Sequence, residues 1–238
     1  MTSAQPGAYR EAPRAFTGRG ASLVLPGGYG AVVFDMDGLL LDTEPLWAAA
    51  EADLLARRGL PYTAADAAAT HGRSVADVIT IYAVRLGGVD PAALEAELLE
   101  LAEARYMAGP ALKPGALALV RALHGRVPLA VASNTASWLV RGALARVDLL
   151  GAFDLVASGA DIGRGKPHPD VYLAACAALG VSPARAVAFE DSPTGVRSAR
   201  TAGLAVVGVP ERDDVDLAAE GAFLVLRSLL DVSVEGAA

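Results

Sequence analysis

The chain has 238 residues, 53% of them hydrophobic and 20% charged, with a formal net charge of −7. That apolar share supports a sizeable core and argues against global disorder. The acidic balance argues against a nucleic-acid partner held through its phosphates, but a small phosphorylated ligand stays open because a metal and local basic groups can reverse the field inside one pocket.

Residues 1–28 are rich in Gly, Pro, Ala and Arg and lack the continuous apolar segment of a secretory signal. They read as a mostly disordered tail in which the run Leu23-Val24-Leu25 packs on the domain. No later stretch is long enough to span a membrane, so no membrane partner is expected. The single cysteine, Cys176, excludes an internal disulfide and fits a cytoplasmic setting. In its apolar run LAACAALG it reads as a small buried hydrophobe.

From Ala31 the chain alternates short apolar runs with helical patterns. The runs are AVVF (31–34), VPLAVA (127–132), AVAF (186–189), LAVV (204–207) and FLVL (223–226). Continuous apolar runs bounded by polar or turn residues suit strands buried on both faces. Helical stretches at 115–123, 137–147 and 170–179 separate them, which predicts an α/β fold with a parallel, Rossmann-like sheet. Residues 45–111 break the rhythm with three or four helical segments and no strand. Pro45 suits the first turn of the first helix, Ser74 to Asp77 reads as a capping box, and a third helix follows Pro91. Core segments 29–44 and 112–238 therefore flank a helical cap domain at 45–111.

Ligands of open α/β sheets bind beyond the carboxyl ends of the strands. Asp35 and Asp37 follow the first run, Ser133 and Asn134 the second, and Glu190 and Asp191 the third. Four carboxylates on one rim are costly without a cation, and an all-oxygen set suits Mg²⁺. Asp35, nearest the rigid strand, is the better nucleophile. Asp37, on the turn before Gly38, could give a proton to the leaving oxygen and later take one from water. The backbone amides of Gly38 and Leu39 could cradle phosphate oxygens.

These segments resemble the four motifs of haloacid dehalogenase-like phosphotransferases: Phe34 to Trp47 (FDMDGLLLDTEPLW), Ser133-Asn134-Thr135, Lys166 to Asp170 (KPHPD) and Phe189 to Gly195 (FEDSPTG). The order and spacing match over about residues 30 to 230, with a helical insert between the first and second motifs as in the branch that includes beta-phosphoglucomutase and sugar-phosphate and phosphoglycolate phosphatases. The resemblance implies a Mg²⁺-dependent phosphatase of a small phosphorylated metabolite. Asp35 would form an aspartyl-phosphate and Asp37 would be the general acid and base, its carbonyl also on the metal. Ser133 and Asn134 would bind the phosphate, and Lys166 would bridge phosphate and nucleophile. Asp191 would complete the metal site, with Glu190 a ligand or a group that orients one, and the cap would close over the substrate.

Plainer roles compete. Ser133 and Asn134 could simply cap the next helix, and Asp170 reads as the cap of a helix starting near Val171. His168 reads as a structural or surface histidine, and Asp42 and Glu44 as helix-start and loop-fixing groups. Trp47 and Arg73, in the cap, are the candidates for substrate selection or for mere packing and solvation. A phosphosugar mutase shares all four motifs. Such mutases carry a histidine where this chain has Trp47 and an arginine where it has Val75, so that alternative ranks second. A dehalogenase needs neither Asp37 nor the Glu190-Asp191 pair, and a non-catalytic phosphate-binding module would not depend on Asp35. A monomer is expected.

Overall fold

The computed structural model describes residues 23–25, 28–71 and 73–235. Its centre is a six-stranded parallel sheet in the order β6-β5-β2-β7-β8-β9. The strands are β2 (Ala31–Phe34), β5 (Leu129–Ser133), β6 (Leu155–Ser158), β7 (Ala186–Glu190), β8 (Ala205–Gly208) and β9 (Leu224–Val225). Five of the six lie on the runs expected from the sequence, although only two residues of FLVL pair. The sixth, β6, was not expected: Leu155 and Ala157 alternate with Val156 and Ser158 at the sheet edge, too short and too mixed to read as a buried run.

Strand geometry turns successive side chains to opposite faces. Val32, Phe34, Val131, Val187 and Phe189 build one core with the helices α5 (Ala116–Leu123) and α6 (Ser137–Arg146). The Phe34 and Phe189 rings stack with centroids 5.1 Å apart. Ala31, Val33, Ala130, Ala132, Ala186 and Ala188 face the other way, where small side chains let α8 (Asp170–Ala178) and α9 (Pro193–Thr201) lie close to the sheet. The short helix α7 (Gly159–Ile162) follows β6. Strand β1 (Leu23–Leu25) pairs in parallel with β10 (Val232–Val234), and Leu25 is fully buried. The Leu23 to Leu25 run thus packs on the domain as expected, while the rest of the expected N-terminal tail, up to residue 27, lies outside the described residues. No helix among the described residues is long and apolar enough to cross a membrane.

Four helices separate β2 from β5: α1 (Glu44–Ala56), α2 (Ala64–Thr70), α3 (Val75–Arg85) and α4 (Pro91–Ala108). They bury their own apolar cluster, with Leu54, Leu55, Val78, Ile79, Tyr82, Leu94 and Leu98 at its centre. Pro45 and Pro91 occupy first-turn positions, where a missing N–H costs nothing. At α3 the Ser74 hydroxyl accepts from the Asp77 amide, but the Asp77 carboxylate takes the Ser74 hydroxyl rather than its amide, so only half of the expected capping box forms. The full box is at Thr63 and Asp66, opening α2. The insert is joined to the sheet by an antiparallel ribbon of β3 (Leu41–Asp42) and β4 (Ala111–Leu112).

Candidate active site

Strands β5, β2 and β7 are neighbours, so the residues at their carboxyl ends meet. Asp35 follows β2 and is 6% exposed. The Lys166 ammonium stands 2.5 Å from its Oδ1 and 2.7 Å from Oε1 of Glu190, the last residue of β7. Glu190 is fully buried and also accepts from the Tyr172 hydroxyl on α8. Its carboxylate fills the space that a side chain at Gly195 would need: a Cβ there would lie 1.8 Å from Oε2. The lysine is thus clamped between the two carboxylates. Its loop is braced by Asn134, whose Oδ1 accepts from the Lys166 amide at 2.6 Å and whose Nδ2 donates to the Lys166 carbonyl at 3.2 Å.

Asp37 sits differently. Its Oδ1 accepts from Thr43 at 2.8 Å and from Tyr106, on α4, at 2.6 Å; its Oδ2 accepts from Ser133 and Thr135, both at 3.0 Å. Four hydroxyls, two from the core and two from the hinge and insert, hold one carboxylate. Gly38 takes φ +80°, and a Cβ there would meet Asp191 Oδ2 at 2.2 Å, so glycine lets this turn and Asp191 pack together.

Several sequence readings need correction. The Gly38 amide donates to the Leu41 carbonyl at 2.9 Å to close the turn and so is not free to cradle phosphate. Ser133 and Asn134 do not cap α6, whose cap position is Ala136. Asp170 is the first residue of α8 rather than its side-chain cap. Other readings hold: Cys176 is buried, His168 is exposed beside Arg164, and Glu44 begins α1. Tyr106, Tyr172 and Thr43 went unremarked because their apolar or helix-start settings mask a hydroxyl aimed at a carboxylate.

The electrostatics follow from crowding. Burial pushes Asp35 up to about 8, with Glu190 and Asp37 adding repulsion and Lys166 opposing it. Asp191 is raised well above the usual carboxylate range, first by burial and then by Asp35 and Glu190. Burial alone would lower Lys166, but Asp35 and Glu190 outweigh it and hold the ammonium above its ordinary value. One lysine does not balance this much negative charge. Oxygens of Asp35, Glu190 and Asp191 can come within 4.8 Å of one another, a donor set that fits a hard divalent cation. With Glu190 taken up by Lys166 and Tyr172, Asp35 and Asp191 are the freer ligands.

Above this rim lies a cavity of about 120 Å³. Its floor carries Asp35, Asp37, Ser133, Asn134, Lys166 and Asp191, and its roof carries Trp47, Glu51, Arg73 and Val78 of the insert. Trp47 packs edge-on against Tyr106, with ring centroids 5.9 Å apart. On one side His71 joins Glu44 at 3.1 Å and faces Glu211 at 4.0 Å, and Glu211 pairs with Lys113 at 3.2 Å, so insert and core also meet through charge.

The sequence model of the haloacid dehalogenase-like hydrolases matches residues 29–203, from the strand before Asp35 to just past α9. The chain belongs to this family. As a haloacid dehalogenase-like hydrolase it is 32% identical over 205 residues to validoxylamine A 7'-phosphate phosphatase of Streptomyces hygroscopicus subsp. limoneus, covering 86% of this chain and 96% of that one. It is 34% identical over 183 residues to the fructose-1-phosphate phosphatase YqaB of Escherichia coli, covering 76% and 96%. The crystal structure of CbbY from Rhodobacter sphaeroides in complex with phosphate superposes with a TM-score of 0.76 at 28% identity, covering 84% and 95%. This hydrolase is thus a phosphoric monoester hydrolase with the α/β fold of its relatives. Both of these curated relatives are named as phosphatases, which leaves the mutase alternative with less support.

Proposed function

We propose that the protein hydrolyses phosphate monoesters of small sugars or polyols through an aspartyl-phosphate at Asp35, with Mg²⁺ as cofactor. The observation that carries this reading is the Asp35–Lys166–Glu190 clamp beside Asp191 at the meeting of three strand ends. Asp35 attacks phosphorus while Asp37 gives a proton to the departing oxygen, releasing the alcohol. Water then attacks the phosphoenzyme, Asp37 takes its proton, and inorganic phosphate leaves with Asp35 restored. Lys166 offsets the charge on the transferring group, and Ser133 and the remaining N–H of Asn134 orient it. Asp35 and Asp191, with the Asp37 carbonyl, would hold the ion, which supplies electrostatic stabilisation of the phosphoryl oxygens. Trp47 and Arg73 line the side where the leaving group sits, and the helical insert acts as the cap that excludes water. The relatives named for a 7'-phosphate and for fructose 1-phosphate support a sugar-type substrate. A monomer in the cytoplasm is the setting we infer for it.

The test is a panel of phosphorylated metabolites assayed for phosphate release with and without Mg²⁺. Release should require the metal, vanish in Asp35→Asn and slow severely in Asp37→Asn with the fold unchanged. More than a trace of turnover in Asp35→Asn would rule out the covalent route.

A further inference from the structure

Glu51 is a roof group whose chemistry the proposed reaction does not use. It lies on α1, is 4% exposed, and lines the same cavity as Asp35. Its Oε2 accepts from Tyr82 on α3 at 2.6 Å and from Thr70 at the end of α2 at 2.8 Å. The Tyr62 hydroxyl also acts on this carboxylate. The carboxylate thus gathers hydroxyls of the insert on one side and forms part of the cavity wall on the other.

Among the described residues no cation pairs with this carboxylate. Burial is the main influence on it and raises its pKa, and the charged group that acts on it is another carboxylate, Glu44, which also lines the cavity. A buried, unpaired carboxylate is costly. A glutamine could tie α1 to Thr70 and Tyr82 nearly as well without that cost, so the ties alone do not account for the acid. An ionised carboxylate only accepts hydrogen bonds, and in a poorly solvated wall it repels another anion strongly. Arg73 also lines the cavity, but it is exposed, where solvent and salt weaken its pull on a ligand anion.

We propose that the Glu51 carboxylate in the cavity wall reads hydrogen-bond donors on the leaving group, so that the site selects phosphate monoesters of hydroxyl- or amine-bearing, uncharged or cationic leaving groups over monoesters whose leaving group carries a carboxylate. The inference rests on the phosphatase reading above and names the residue that narrows it. It separates sugar- and polyol-type esters from phosphoglycolate.

The experiment compares kcat/KM of the full chain in Mg²⁺ for three esters: a hexitol 6-phosphate, 2-phosphoglycolate and p-nitrophenyl phosphate, which has neither hydroxyl nor carboxylate. The wild-type protein should prefer the hexitol ester to phosphoglycolate by about tenfold or more, the worth of one hydrogen bond to a charged group. In Glu51→Gln that ratio should fall by about tenfold, because the amide neither repels the carboxylate nor accepts only. Comparable kcat/KM for the two esters in the wild type, or an unchanged ratio in a folded Glu51→Gln, overturns the inference. Should Glu51→Gln fail to fold, the wild-type ratio alone decides. Phosphate release from p-nitrophenyl phosphate with no preference between the other two sinks the role of Glu51 and leaves the phosphatase reading standing. No release from any ester sinks both.

Discussion

A single methyl group at Gly195 should break the lysine clamp. Gly195 lies in the first turn of α9, and a Cβ built there would stand 1.8 Å from Glu190 Oε2 and 2.0 Å from its Cδ. Glu190 cannot withdraw cheaply, being fully buried and held by Lys166 at 2.7 Å and by Tyr172. Displacing it costs about 3–5 kcal/mol, the range for breaking a buried pair on one side. Replacing glycine by alanine in a helix returns about 1 kcal/mol. The net loss of about 2–4 kcal/mol should lower Tm by roughly 5–15 °C for a chain of this length. Turnover should fall about a hundredfold or more, because Lys166 loses the partner that aims it at Asp35. Gly142 on α6 is the control. Its added Cβ would lie 2.2 Å from Met107 Cε, the far end of a flexible side chain that can turn aside. Gly142→Ala should change stability by less than about 1 kcal/mol. Thermal melts and phosphate-release assays on both variants decide the matter. A Gly195→Ala protein that melts and turns over like the wild type would refute the reasoning, as would a Gly142→Ala protein equally damaged.

Lys166→Met leaves Asp35 and Glu190 facing each other without their shared cation; urea denaturation should show a loss of about 3–5 kcal/mol, and phosphate release should cease. Tyr82→Phe removes a donor from Glu51 and should cost about 1.5–3 kcal/mol by the same measurement. Glu51 also gives a pH test of stability. Its folded-state pKa lies above the ordinary 4.5, so the native protein holds that proton more tightly than the unfolded chain. The stabilisation this lends is fully present below about pH 4.5 and disappears as pH climbs through the raised folded value. Unfolding free energies of wild type and Glu51→Gln, taken from pH 4 upward, should therefore diverge in favour of the variant. A constant difference would mean that Glu51 titrates as if exposed.

The sheet was legible because its strands are buried on both faces and so read as unbroken apolar runs. Asp35, Glu190 and Asp191 were legible because a carboxylate directly after such a run lies where ligands bind. What escaped was whatever depends on partners distant in sequence. Tyr106 and Tyr172 sit in apolar helical stretches, and only the folded chain shows their hydroxyls at Asp37 and Glu190. The Gly38 amide looked available because its acceptor, the Leu41 carbonyl, is supplied by a turn whose closure the sequence does not display. Strand β6 escaped because an edge strand is half wet and needs no continuous apolar run.

The ribbon of β3 and β4 has a consequence for how such a molecule can diversify. Leu41 faces Leu112 and Asp42 faces Ala111, so the chain departs for the helices and comes back at nearly one point, roughly 5 Å apart as antiparallel partners are. To the sheet, everything from 43 to 110 is a long loop with pinned feet. A polypeptide whose ends meet at that spacing can be grafted there without breaking the strands that carry Asp35, Glu190 and Asp191, so the leaving-group wall can change so long as the graft returns the two hydroxyls that Thr43 and Tyr106 give Asp37.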